Sequence, residues 1–309
     1  MNQPMKVLVG YDGSSCADAA LHDLRRAGLP GAVEAAVMSV ADVLLPPRRA
    51  EREVEEPPPS VAVLEAVRRA RASAEQAVKE AEAFAHQGRE RLQTSFPSWH
   101  IQAEACADSP AWGLIQKAEA WQPDLIVVGS HGRSALGRLV LGSVAQTVLT
   151  HAHASVRVAR GREDAQEGPV RLVIGVDGSA NADAAVRAVA ARVWPAGSEA
   201  HVIAAVDRML TTAPQPVDAS SEEGDWPRRV VEAAAAELRA TGLVVSALVA
   251  EGDPKRCLLA EAEAWGADCI FLGARGLRGI ERFLLGSVST AVAARALCSV
   301  EVVRPSREG

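Results

Sequence analysis

Short apolar runs of five to eight residues alternate along this chain with longer stretches whose apolar positions recur at helical spacing. Lys6-Val7-Leu8-Val9-Gly10-Tyr11, Val33 to Val40, Trp99 to Cys106, Asp124 to Val128 and Ser155 to Ala159 read as strands. Nearly unbroken apolar runs suit strands covered by helices on both faces, which need no polar side. The stretches between them predict helices over about Ser15–Ala27, Ser60–Leu92, up to Trp121 and from Ser143 onward. In the first helix Ser15 and Asp18 stand at capping-box spacing, and Gly28 is a stop signal. The proline-rich, charged segment from Pro46 to Pro59 has no packing pattern and reads as a mobile loop.

The whole order then repeats. Arg171-Leu172-Val173-Ile174-Gly175-Val176-Asp177-Gly178-Ser179 matches the first strand and its turn. Asp268-Cys269-Ile270-Phe271-Leu272-Gly273-Ala274-Arg275-Gly276 matches Asp124 to Gly132. The offset is 165 at the first strand and 144 at the glycine turn, so domain two is 21 residues shorter between its second and third strands. The expected organisation is one domain over 1–160, a polar linker over 161–169 and a second domain over 170–309. Strands alternating with helices predict an α/β fold, each domain an open five-stranded parallel sheet with helices on both faces. Strand order 3-2-1-4-5 follows, with ligand expected at the carboxyl ends where the order reverses between strands one and four.

Two unusual turns converge there. Gly129-x-x-Gly132-x9-Gly142-Ser143-Val144 recurs as Gly273-x-x-Gly276-x9-Gly286-Ser287-Val288. Glycines permit close backbone approach and positive φ, and successive main-chain N–H groups in such a turn attract anions. The Gly-Ser opening of the next helix adds free N–H groups and the helix dipole. Ser143 or Ser287 can either cap its helix or bond a phosphate oxygen. Asp12 and Asp177 end the first strands. Each can accept from ribose hydroxyls or bond its own backbone, as Asp-Gly turns commonly do; recurrence beside the glycine loop favours the ribose role. Neither a Walker lysine nor a G-x-G-x-x-G follows the first strands.

Composition narrows the partners. A net charge of -6 speaks against a nucleic-acid binder, and no apolar run reaches the roughly 18 residues of a membrane span. Met1 to Lys6 shows no signal-peptide pattern. Five cysteines without C-x-x-C spacing read as free buried thiols in a reducing cytoplasm, with no metal site. His131, the only histidine in either glycine loop, is replaced by Arg275 in the second copy, so no shared catalytic base exists. His151 and His153 read as surface residues.

These residues resemble the universal stress protein family, in its ATP-binding branch with the G-2x-G-9x-G-[S/T] signature, over nearly the whole chain. The resemblance implies an adenine-nucleotide α-hydrolase-like fold and bound ATP or a related adenine nucleotide, with Mg as its companion. By position, Asp12 and Asp177 would contact ribose, Val40 and Ala205 would meet adenine through their main chains, and Val128 and Leu272 would line base or sugar. Gly129, Gly132, Gly142, Ser143 and Val144 would surround phosphates in domain one. Gly273, Gly276, Gly286, Ser287 and Val288 would do so in domain two. Domain one departs from the family's Gly-x-Pro turn, with Asp108-Ser109-Pro110 against Gly252-Asp253-Pro254; aspartate is expected to tolerate the left-handed conformation there. Arg138 and Arg282 occupy matching places in the nine-residue loops. The implied role is a cytoplasmic stress or signalling module that catalyses slow ATP hydrolysis at most. A scaffold or dimerisation module with degenerate pockets is the alternative. The family also pairs through its last strand, which here would set Arg157 beside Glu301, 144 residues apart, with a further dimer of chains compatible with it.

Overall fold

The computed structural model describes residues 4–43, 61–132, 141–160, 168–206, 226–276 and 285–305. The proline-rich segment, most of the linker, Arg138 and Arg282 lie outside them. The first half runs β1 (Met5–Gly10), α1 (Ser15–Asp23), β2 (Val33–Ala41), α2 (Val61–Ser95), β3 (His100–Ala107), α3 (Pro110–Trp121), β4 (Leu125–Gly129), α4 (Ser143–His151) and β5 (Ser155–Ala159). The second runs β6 (Arg171–Gly175), α5 (Ala180–Ala190), β7 (Glu199–Val206), α6 (Trp226–Arg239), β8 (Val244–Glu251), α7 (Pro254–Trp265), β9 (Cys269–Gly273), α8 (Ser287–Arg295) and β10 (Ser299–Val303). α2 has 35 residues and α6 has 14, so helix length alone matches the 21-residue difference.

Strand order is β3-β2-β1-β4-β5-β10-β9-β6-β7-β8, two 3-2-1-4-5 sheets joined edge to edge into ten strands. Every pairing is parallel except β5 with β10, which run antiparallel with Arg157 opposite Glu301. That junction covers one edge of each half, β5 and β10, and leaves β3 and β8 at the ends of the sheet.

Side chains alternate across a strand, and the junction uses the alternation to make two different faces. Val156, Val158, Val300 and Val302 all point into one core, which continues across both halves under α3, α4, α7 and α8. On the other face each half keeps its own core, under α1 and α2 or under α5 and α6. Between those two cores sits a buried charge cluster. Arg157 Nε donates to Asp23 Oδ2 at 2.6 Å and its Nη1 to Glu301 Oε2 at 3.1 Å. Arg192 pairs with the other oxygen of Glu301 and donates to Ala27 O at 2.7 Å. Ser299 Oγ donates to Asp23 Oδ1 at 2.8 Å. Two acids and two bases therefore balance. Burial works against the Arg157 charge, but Asp23, the Cys269 thiol and Glu301 outweigh it and hold its pKa well above the usual arginine range.

A second set of contacts crosses the junction in matched pairs. Arg160 N–H donates to Ser299 Oγ, and Arg304 N–H to Ser155 Oγ. Arg160 Nη2 reaches Ala293 O near the end of α8 at 2.6 Å, and Arg304 Nη2 reaches Leu149 O near the end of α4 at 2.8 Å. Each arginine thus satisfies a terminal carbonyl of the other half's helix, where the dipole favours a cation.

Two local readings are corrected. The cap of α1 is Ser14, whose hydroxyl accepts from Ala17 N–H at 3.1 Å, one residue before the expected Ser15. Asp18 instead accepts from the Tyr11 hydroxyl at 2.6 Å and pairs with Arg91 of α2. At the third-strand turn Gly252 has φ of 125°, whereas Asp108 is not left-handed; its carboxylate accepts from Ser109 N–H at 2.6 Å. Of the five cysteines, all free, Cys269 and Cys298 are buried and the other three half-buried. Among the described residues no helix is long and apolar enough to cross a membrane.

Removing one member of a buried, balanced cluster strands the others. Arg157→Met is expected to cost about 3–5 kcal/mol, read as a lowered urea midpoint. Arg239→Met, which breaks an exposed pair with Glu232, should cost no more than about 1 kcal/mol by the same measurement.

Candidate functional site

β1 lies between β2 and β4, and β6 between β7 and β9, so each half has a crevice beyond the carboxyl ends of those strands. Both halves build it alike. The Asp12 and Asp177 carboxylates each accept from the N–H two residues on, Ser14 and Ser179, at 3.0 Å through Oδ1. This is the turn role expected of an Asp-Gly sequence. Their Oδ2 atoms face the glycine loops: a Cβ on Gly132 would lie 3.1 Å from Asp12 Oδ2, and one on Gly276 would overlap Asp177 Oδ2. The carboxylate therefore holds its own turn with one oxygen and meets the second loop glycine with the other.

The glycines serve approach and not handedness. Gly129, Gly132, Gly142, Gly273, Gly276 and Gly286 all lack positive φ, which corrects that part of the expectation. The left-handed residues are Gly13 and Gly178, with φ of 74° and 75°, in the Asp-Gly turns themselves. A side chain at Gly129 would come within 2.9 Å of Cys16 O, and at Gly273 within 2.5 Å of the Asn181 main chain. These two glycines let the first turns of α1 and α5 pack directly on the loops. Phe84 of α2 and Trp226 of α6 roof the two Asp-Gly turns.

The loops are tied to the helices that follow. Gly142 N–H donates to Ser130 O and Gly286 N–H to Ala274 O, both at 2.8 Å. Gly142 and Gly286 are the N-caps of α4 and α8, and neither supplies a side-chain cap. Ser143 and Ser287 are exposed first-turn residues and are not the caps of their helices. The uncapped N–H groups and dipoles of two helices thus open beside the Asp–Gly contacts.

The second strands contribute main chain. Tyr11 N–H donates to Met38 O and Val176 N–H to Ile203 O, both at 2.9 Å. Successive strand residues address alternate neighbours, so Val40 and Ala205, two residues further, turn N–H and C=O past the ends of β1 and β6. Val128 and Leu272 are 3% and 4% exposed, and their side chains pack in the shared core. Val144 and Val288 are half-buried at its margin. His131 differs from Arg275 in setting: its Nδ1 lies 3.0 Å from Ser130 Oγ, while its Nε2 is buried with no hydrogen-bond partner. Among the described residues no group of three or more His, Cys, Asp or Glu is arranged to hold a metal.

Sequence reasoning missed the Tyr11–Asp18–Arg91 link from β1 to α2, which domain two lacks because Val176 stands for Tyr11. The substitution was visible in the repeat; the contact with Arg91, 80 residues on, was not. Burial and the Asp18 hydrogen bond raise the Tyr11 pKa well above the usual tyrosine range.

The family model for the universal stress protein family matches residues 4–160 and again 170–304. The chain belongs to that family. It is 31% identical over 221 residues to a universal stress protein of Mycolicibacterium smegmatis, covering 66% of this chain and 69% of the relative. It is 27% identical over 211 residues to a universal stress protein of Mycobacterium tuberculosis, covering 67% and 70%. The crystal structure of a universal stress protein from Archaeoglobus fulgidus aligns with a TM-score of 0.64 at 20% identity, over 98% of this chain and 99% of that one. That likeness is one of fold.

The packing role of the first loop glycine is separable from any ligand. Gly273→Ala forces Cβ onto the Asn181 main chain, which has no flexible end to give way. It is expected to destabilise by about 1–3 kcal/mol in ligand-free thermal unfolding, more than Gly142→Ala, whose nearest neighbour would lie at 3.2 Å.

Proposed function

We propose that both crevices bind an adenine nucleotide, ATP in the first instance, and that the chain is a cytoplasmic stress or signalling module whose bound nucleotide biases conformation or partner choice. The observation that carries this reading is the same three-part arrangement built twice: an aspartate oxygen against a loop glycine, an uncapped helix N-terminus hydrogen-bonded to that loop, and second-strand main chain turned into the crevice.

The residues fit the ligand. A polyphosphate lies against the N–H groups of Gly142–Val144 and Gly286–Val288, where the dipole attracts negative charge, with Gly129, Gly132, Gly273 and Gly276 leaving room for its approach. Asp12 and Asp177 repel phosphate but accept from hydroxyls, so their Oδ2 atoms take the ribose. Val40 and Ala205 offer a paired donor and acceptor to the edge of adenine. Val128 and Leu272 support the crevice floor from the core. Mg would arrive with the phosphates.

Turnover is slow at most. A hydrolase needs a base with an orienting partner, and the residue facing each loop changes from His131 to Arg275. The module acts by binding.

Native mass spectrometry of the full chain with ATP is expected to show two nucleotides. Gly142→Asp and Gly286→Asp should each remove one, lowering affinity at that crevice by about a hundredfold or more, equivalent to about 2.7 kcal/mol. Unchanged affinity in the folded double variant would overturn the siting.

A further inference from the structure

Outside both crevices, on the face of the sheet away from the charge cluster, a cavity of about 230 Å3 opens between the two halves. Domain one gives it Trp112 and Glu119 from α3, with His151 and His153 from the end of α4. Domain two gives it Arg275 from the glycine loop and Arg304 from beyond β10. Three observations bear on what it holds.

Trp112, a large aromatic side chain, is 46% exposed on a helix whose other face packs into the core. Its ring centroid lies 5.3 Å from that of His151 at an angle of 39°. An indole held beside a second ring and open to a cavity is a platform for another flat group. The charge at the opposite wall is positive. Arg304 is fixed in place by Leu149 O and Ala154 O. Burial, and then the nearby Arg275, bring its pKa down to about 10. Among the described residues Glu119 is the only carboxylate in the lining. The volume corresponds to about eight water molecules, below the range of pockets for drug-sized ligands.

The arrangement is one-sided. At the repeat offset of 144, Trp112, His151 and His153 become Arg256, Arg295 and Leu297. Among the described residues the matching position across the pseudo-twofold therefore lacks the Trp112 platform.

We propose that this cavity is a binding site for a small aromatic anion, a single ring on Trp112 with its carboxylate or phosphate toward Arg275 and Arg304. Because Arg275 lies between Gly273 and Gly276, an occupant touches the loop of the second crevice from behind. In the first half the equivalent loop residue is His131, and Arg256 stands where the platform would be.

Calorimetric titration of the full chain with phenyl phosphate, benzoate and inorganic phosphate tests the site itself and requires no nucleotide binding. Phenyl phosphate or benzoate is expected to bind one per chain, the tighter of the two identifying the anionic group, with inorganic phosphate at least about tenfold weaker. Trp112→Ala should lose at least about tenfold, Trp112→Phe should recover most of it, and neither should change the melting temperature much, since Trp112 is half exposed. Lack of saturation at millimolar ligand would overturn the proposal. So would equal binding by folded Trp112→Ala, or binding removed by Gly286→Asp and not by Trp112→Ala, which would move the ligand to the crevice.

Discussion

The pairing of β5 with β10 is the constraint on which the rest of the molecule hangs. Its two faces have opposite chemistry, four valines on one side and Arg157 with Glu301 on the other. A slip of one residue in either strand would turn that strand's charged residue into the shared apolar core and its two valines toward the charge cluster. A slip of two would separate Arg157 from Glu301. Register is therefore fixed by charge as well as by hydrophobicity, and the buried cluster contributes specificity whatever its net stability. Once register is set, Arg160 and Arg304 reach the opposite helices, and the starts and ends of α4 and α8 are placed relative to both sheets.

How much of this the sequence disclosed depends on whether a feature repeats. Arg157 beside Glu301 was legible because both sit at equivalent positions, and a pseudo-twofold brings equivalent positions together. Asp23 and Arg192 complete the same cluster, yet their counterparts are Ala188 and Ala27. Nothing periodic marks a residue used on one side only, and Asp23 reads as an ordinary polar position on α1 until the second half is docked on it. The cap of α1 failed for a smaller reason. Ser14 and Ser15 are both good caps, and the choice is made by the Asp12 turn, which fixes where the helix begins. Asp108 failed because tolerance of the left-handed region is not a demand for it; the side chain found a local acceptor role instead.

The glycine signature also divides once its neighbours are known. Gly129 and Gly273 are required by α1 and α5 packing on the loops, whatever the crevice holds. Gly132 and Gly276 stand against the aspartates, so their absence of side chain belongs to the crevice. A motif of this kind mixes folding demands with binding demands, and its presence alone argues for both equally.

The helix starts separate the two. α1 and α5 open under Ser14 and Ser179, whose hydroxyls accept from the first turn, and α7 opens under Asp253, which does the same. α3 has no side-chain cap bond but begins with Pro110, which has no N–H to satisfy. α4 and α8 have neither device: they begin Gly-Ser, with donors intact and the serines exposed. A fold optimised for stability alone would gain a few tenths of a kcal/mol at each by exchanging the glycine for a side-chain cap. Leaving the same two helices uncapped, in both copies and at the point where each sheet reverses, follows if an anionic ligand supplies the missing acceptor.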